Sequence, residues 1–360
     1  MCPELFVNHA AYVSDEHHHG RGSSSGWVEP DVIRITKSVC NVTSKNRTSR
    51  ALRANSFPHS LVSTSMANER NHNPMLWSTI AIALLVSFMS IAGLFWPAIY
   101  ARETAYGRAG AYASDLVDLF LAAPILLISG IRGYRGSVPA HLVWLGTQGY
   151  LLYNLVIYAF GVHFNALFLV YCATLSLSFY ATVFSLPFIP VKEIAATYAA
   201  RAPRKIIAVV FLLLSIQTVA FDLRDDIRAI MAGRIPQDII DANQPVNFIH
   251  VLDPGFLLPA LCITGVLLFR RRVSAYTLAP VFLTLLAIMS MELVSIMAVM
   301  GRLVFGISVP MIVFFAALGV GFTALLWLYF SSAQKATLTA TASPISGLMT
   351  HRSSGLCNEN

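Results

Sequence analysis

Charge is scarce in this sequence: Asp, Glu, Lys and Arg make up 12% of its 360 residues, against about one quarter in ordinary soluble domains. That shortage excludes a conventional water-solvated surface. Cysteine is sparse and unpatterned. Cys2, Cys40 and Cys357 stand in the tails, Cys172 and Cys262 inside apolar runs, and no CxxC spacing occurs, so neither a zinc site nor a disulfide framework is expected. HExxH and GxxxxGK[ST] are missing, which removes the common metalloprotease and nucleotide-triphosphate signatures. No cofactor is expected.

Hydrophobic residues, in contrast, make up 56% of the chain. They gather in runs near 76–99, 112–131, 138–160, 164–188, 204–221, 249–269, 275–299 and 308–331. A helix needs about 20 apolar residues to cross a hydrocarbon core of about 30 Å. The runs are continuous rather than alternating, so helices and not barrel strands are expected. The predicted fold class is all-α, an integral membrane bundle of about eight transmembrane helices. The run at 249–269 is interrupted by Asp253-Pro254-Gly255 and Pro259, which leaves seven spans plus a re-entrant segment as the other arrangement.

Residues 1–75 read as a disordered cytoplasmic tail, rich in Ser, Thr, Arg and His, and residues 332–360 as a second one. MANERNHNPMLW, beginning at Met66, resembles a start placed directly before the first span. Residues 1–65 are therefore expected to be an upstream mis-start or a dispensable extension.

Basic residues set orientation. Arg70, Arg132, Arg135, Lys192, Arg201, Arg204, Lys205, Arg270, Arg271, Arg272 and Lys335 flank one side; Arg102, Arg108, Arg224, Arg228, Arg234 and Arg302 flank the other. The bias predicts a multi-pass plasma-membrane protein with both termini cytoplasmic. It also accounts for the net charge of +7 without a nucleic-acid partner; the bilayer is the expected partner, with a small solute or cation as the candidate ligand. The outer 222–248 loop carries Leu223, Ile227, Ile230 and Met231 at helical spacing, which predicts either a short amphipathic surface helix or a solvated connection.

Polar side chains inside spans are costly and are functional candidates by default. Asp115 and Asp118 share a helix face; they are either interfacial aspartates near a helix N-terminus or a pair sharing a proton or cation. Thr147, Tyr150, Asn154 and Tyr158 recur at helical spacing, forming a stripe that must face other helices or a cavity. His163 follows in the short turn to the next span. Gln217, Asp253 and Glu292 fall at similar outer depth on three further helices, which predicts an outward-facing polar pocket.

The run LVWLGTQGYLLYNLVIYAFGVHFNALFLVY, with DLVDLFLAAP before it and DPGFLLPALCITGVLLFRRR after it, resembles a group of uncharacterised bacterial polytopic membrane proteins over roughly residues 76–331. The resemblance implies a multi-helix inner-membrane fold and no particular activity. From the residues, binding or proton-coupled transport of a small solute or cation is the leading expectation. A membrane enzyme acting on lipid or acyl substrates, with His163 and Asp118 as acid and base, is the rival, and a structural or signalling role is the third.

Overall fold

A computed structural model describes residues 73–342. The tail before Asn73, with the start expected at Met66, and the chain beyond residue 342 lie outside the described residues.

All regular structure among the described residues is helical. The elements are α1 (Asn73–Phe95), α2 (Ala105–Tyr134), α3 (Val138–Gly161), α4 (Phe168–Ser185), α5 (Val191–Tyr198), α6 (Arg204–Met231), α7 (Gln237–Ala242), α8 (Phe248–Phe269), α9 (Ala275–Met300) and α10 (Val309–Ala342). Seven of these, α1, α2, α4, α6, α8, α9 and α10, are long and apolar enough to cross a membrane. The chain is thus an all-α, multi-pass membrane protein. With 24 residues, α3 has the length, about 36 Å at 1.5 Å per residue, but His141, Gln148, Asn154 and three tyrosines make it more polar than the others.

Its position explains that polarity. α3 packs against α2, α4 and α9, and 12 of its residues are buried. At Gly146 an added Cβ would lie 2.5 Å from both the Thr284 Cβ and the Val281 carbonyl oxygen, so only glycine lets the backbones of α3 and α9 approach this closely. A helix wrapped by protein can carry amides and hydroxyls that lipid would leave unpaired. α10 is the opposite case: it leans on α9, only 11% of its most apolar stretch is buried, and its outer face is apolar.

Proline and glycine set the boundaries less sharply than the sequence suggests. α2 starts at Ala105, where the Thr104 side chain accepts from the Gly107 N–H at 3.1 Å. It then widens into a π-helical turn at Asp118–Ala122, just before Pro124. Asp253-Pro254-Gly255 is likewise a π turn within one helix, capped by Asn247, whose Oδ1 accepts from the N–H groups of Ile249 and His250. The interruption that left a re-entrant segment as the other arrangement is therefore a bulge within a span-length helix; such turns reroute the backbone bonds that a proline disrupts. α6 runs unbroken through residues 222–231, the first part of the segment read as either a short surface helix or a solvated connection. Nothing in Arg204–Met231 stops it, and Gly233, with φ of 61°, turns the chain. The short separate helix in this connection is α7 instead. α10 also continues to Ala342, past the boundary that hydropathy sets near 331.

Candidate functional site

Asp115 and Asp118 lie about three turns into α2, since the helix begins at Ala105. They are not interfacial aspartates near a helix start. Asp115 is fully buried, and two phenols hold it: Tyr100 donates to Oδ2 and Tyr158 to Oδ1, both at 2.8 Å. Gly93 on α1 makes the room, because a Cβ there would lie 2.1 Å from Asp115 Oδ2. Asp118 is 1% exposed and accepts from the Asn154 amide at 3.0 Å through Oδ2.

Ser114, one residue before Asp115, faces α9, where its hydroxyl donates to Glu292 Oε1 at 2.6 Å. Tyr150 is fully buried one turn below Asn154. Its hydroxyl lies beside Asp118 and Glu292. Asp253, at the head of the α8 π turn, accepts from Tyr153 at 2.9 Å. The stripe read from the sequence thus divides: Tyr158 serves Asp115, Asn154 serves Asp118, and Tyr150 stands between carboxylates.

Against this layer lies a cavity of about 350 Å³, at the end of the bundle carrying the 96–104, 162–167 and 232–247 connections. Ser114, Asn154, Tyr158, Asp253 and Glu292 are among its polar residues, and Met289, Leu293, Ile296, Met297 and Met300 from α9 form one apolar wall. The segment containing α7 closes over it, tied down by Gln244 donating to the Gly161 carbonyl at 2.9 Å and by Asn247 donating to Asp238 at 2.5 Å. Four carboxylates, Glu103, Asp238, Asp253 and Glu292, line the cavity, and no Lys, Arg or His does.

Of the sequence-predicted residues, Asn154, Tyr158, Asp253 and Glu292 line this cavity, while Asp115, Asp118 and Tyr150 stand immediately behind it. His163 sits at the rim without lining it. Its backbone N–H donates to Glu103 at 2.7 Å and its Nδ1 lies 3.1 Å from the same carboxylate, so Glu103 is already paired. Gln217 stands exposed on α6, away from the cavity. Tyr100, Glu103, Ser114 and the α7 segment are additions that no span-by-span reading supplies. Only Ser114, next to Asp115 in the sequence, carried a usable signal.

Chemically, the arrangement sets four carboxylates, with no basic side chain in the lining, beside an apolar wall. Of the acid and base named in the enzymatic expectation, His163 is engaged by Glu103 and Asp118 by Asn154. No three His, Cys, Asp or Glu side chains gather as a metal site among the described residues. No known protein family, curated protein or solved structure matches the chain.

Proposed function

We propose that this is an eight-span plasma-membrane protein of bacterial inner-membrane type, α3 being the eighth crossing, with both termini cytoplasmic. Its cavity opens outward and binds a small solute carrying positive charge, for transport coupled to exchange on the buried carboxylates. The observation that carries this reading is the lining itself: four carboxylates and no basic side chain around about 350 Å³. Cavities of about 300–1,000 Å³ accommodate small organic molecules. Burying Asp253 and Glu292 in a lining that carries no basic side chain is costly when they are charged, so a cationic ligand offsets a cost that a neutral or anionic one leaves or raises. The Met, Leu and Ile wall suits an apolar body behind the charge, methionine in particular adapting to irregular shapes. The alternation of basic residues between connections supports the orientation.

Charge selectivity tests it. The full chain, purified in detergent, is heated with phenethylammonium, with a neutral phenyl alcohol of similar size, or with phenylpropionate. Only the ammonium ion is expected to raise the unfolding midpoint saturably. An equal rise with the alcohol or the carboxylate contradicts the reading.

A further inference from the structure

The cavity has a third kind of lining besides its carboxylates and its aliphatic wall. Tyr106 from α2, Tyr153 and Tyr158 from α3 and Phe248 from α8 all contribute to it, so aromatic rings enter from three helices. Two of these rings are held by their hydroxyls. Tyr153 donates to Asp253 at 2.9 Å and Tyr158 to Asp115 at 2.8 Å, so each spends its single donor on the protein and offers a ligand its ring. Phe248 packs against Gly161, where an added Cβ would lie 2.9 Å from the Phe248 Cδ2.

The lining carboxylates are partly engaged as well. The His163 backbone N–H donates to Glu103 at 2.7 Å, Asn247 to Asp238 at 2.5 Å and Ser114 to Glu292 at 2.6 Å, as Tyr153 does to Asp253. Every lining carboxylate thus has a protein donor on one oxygen, and a ligand bringing several N–H groups competes with those donors for acceptors. Organic cations differ in this need. A primary ammonium is a compact, strongly hydrated charge with three donors, and each donor that leaves water without an acceptor is costly. A quaternary ammonium has no N–H to satisfy, and aromatic faces attract it through their quadrupole. Its methyl groups also gain from contact with Met289, Leu293 and Met297; the NH₃⁺ of a primary amine does not.

We infer that the cavity selects a fully alkylated ammonium group, of the trimethylammonium type, over a primary one. The inference rests on the reading of the cavity as a cation site and names the class of cation.

The test is isothermal titration of the full chain in an uncharged detergent with phenethylammonium and with its N,N,N-trimethyl derivative, which share ring and linker. The trimethyl compound is expected to bind at least about tenfold more tightly, a difference of about 1.4 kcal/mol. Phe248→Leu and Tyr106→Leu each remove a ring and no carboxylate. Each should weaken the trimethyl compound by about fivefold, in keeping with the loss of one cation–π contact, and phenethylammonium by less. Should one variant fail to fold, the other and the wild-type comparison decide the matter. Equal or weaker binding of the trimethyl compound, beside saturable binding of phenethylammonium, overturns this inference and leaves the cation site standing. Binding of neither compound removes both. A preference for the trimethyl compound undiminished in the ring variants also overturns the inference, since the selectivity would then owe nothing to the rings.

Discussion

Tyr158 on α3 donates its hydroxyl to Oδ1 of Asp115 on α2 at 2.8 Å, with both residues at most 2% exposed. Tyr100 takes the other carboxylate oxygen, so the two helices are joined through a fully engaged buried acid. Tyr158→Phe strands one oxygen, a change that costs about 1–3 kcal/mol in a buried setting. Thermal unfolding should show a lowered midpoint. In an Asp115→Ala background the same substitution should cost much less, because the interaction it removes is already gone. Additive losses in this double-mutant cycle would show that the contact contributes little.

Gly93→Ala should destabilise the same corner. The added methyl would lie 2.1 Å from Asp115 Oδ2 and 2.6 Å from the Tyr100 hydroxyl, forcing displacement at the cost of about 1–3 kcal/mol typical of overpacking. Gly321→Ala on α10 meets nothing within 4 Å and should be neutral or slightly stabilising, since alanine is the better helix former. Equal effects of the two substitutions on the unfolding midpoint would contradict the packing described for α1 and α2.

Whether α3 crosses the membrane is open to direct labelling. Arg135 and Phe164, both exposed, flank it at opposite ends. With the native cysteines replaced, Phe164→Cys should react with an impermeant thiol reagent on intact cells. Arg135→Cys should react only after permeabilisation. Labelling of both, or protection of both, on intact cells would remove the eighth span.

The cover over the cavity depends on Asn247, which caps α8 through Oδ1 and holds Asp238 through Nδ2. Asn247→Ala loses the cap, worth about 0.5–2 kcal/mol, together with the tie to α7. Hydrogen exchange should accelerate across residues 237–250 while α3 and α9 keep their protection. An unchanged exchange pattern would show that the segment is held by other contacts.

Much of this site was legible because a helix imposes its period on the sequence. The spacing of Tyr150, Asn154 and Tyr158 required one buried face, and α3 buries it. Hydropathy gives depth along a helix, however, and not direction around it. Gln217 lies at the expected depth but points away, because α6 pairs with α8 through its other face. Tyr100 and Glu103 were hidden for a different reason. They sit in the non-periodic 96–104 connection, and only its return over the helix ends places Tyr100 on Asp115 and Glu103 at the cavity. The Asp-Pro-Gly of α8 read as a break because proline removes a backbone donor; a π turn absorbs that loss without ending the helix. Each discrepancy arises where tertiary packing decides what local pattern leaves open.

The central claim is that a cation occupies the carboxylate-lined cavity, and the most direct measurement is a binding isotherm for phenethylammonium on the purified full chain and on two variants. Glu292→Gln removes a lining charge, while Met297→Trp fills the space beside it. The expected result is saturable binding to the wild type, weakened by about tenfold or more in Glu292→Gln, equivalent to about 1.4 kcal/mol, and lost in Met297→Trp. Affinity unchanged in both variants would place the ion elsewhere and contradict the assignment of the cavity.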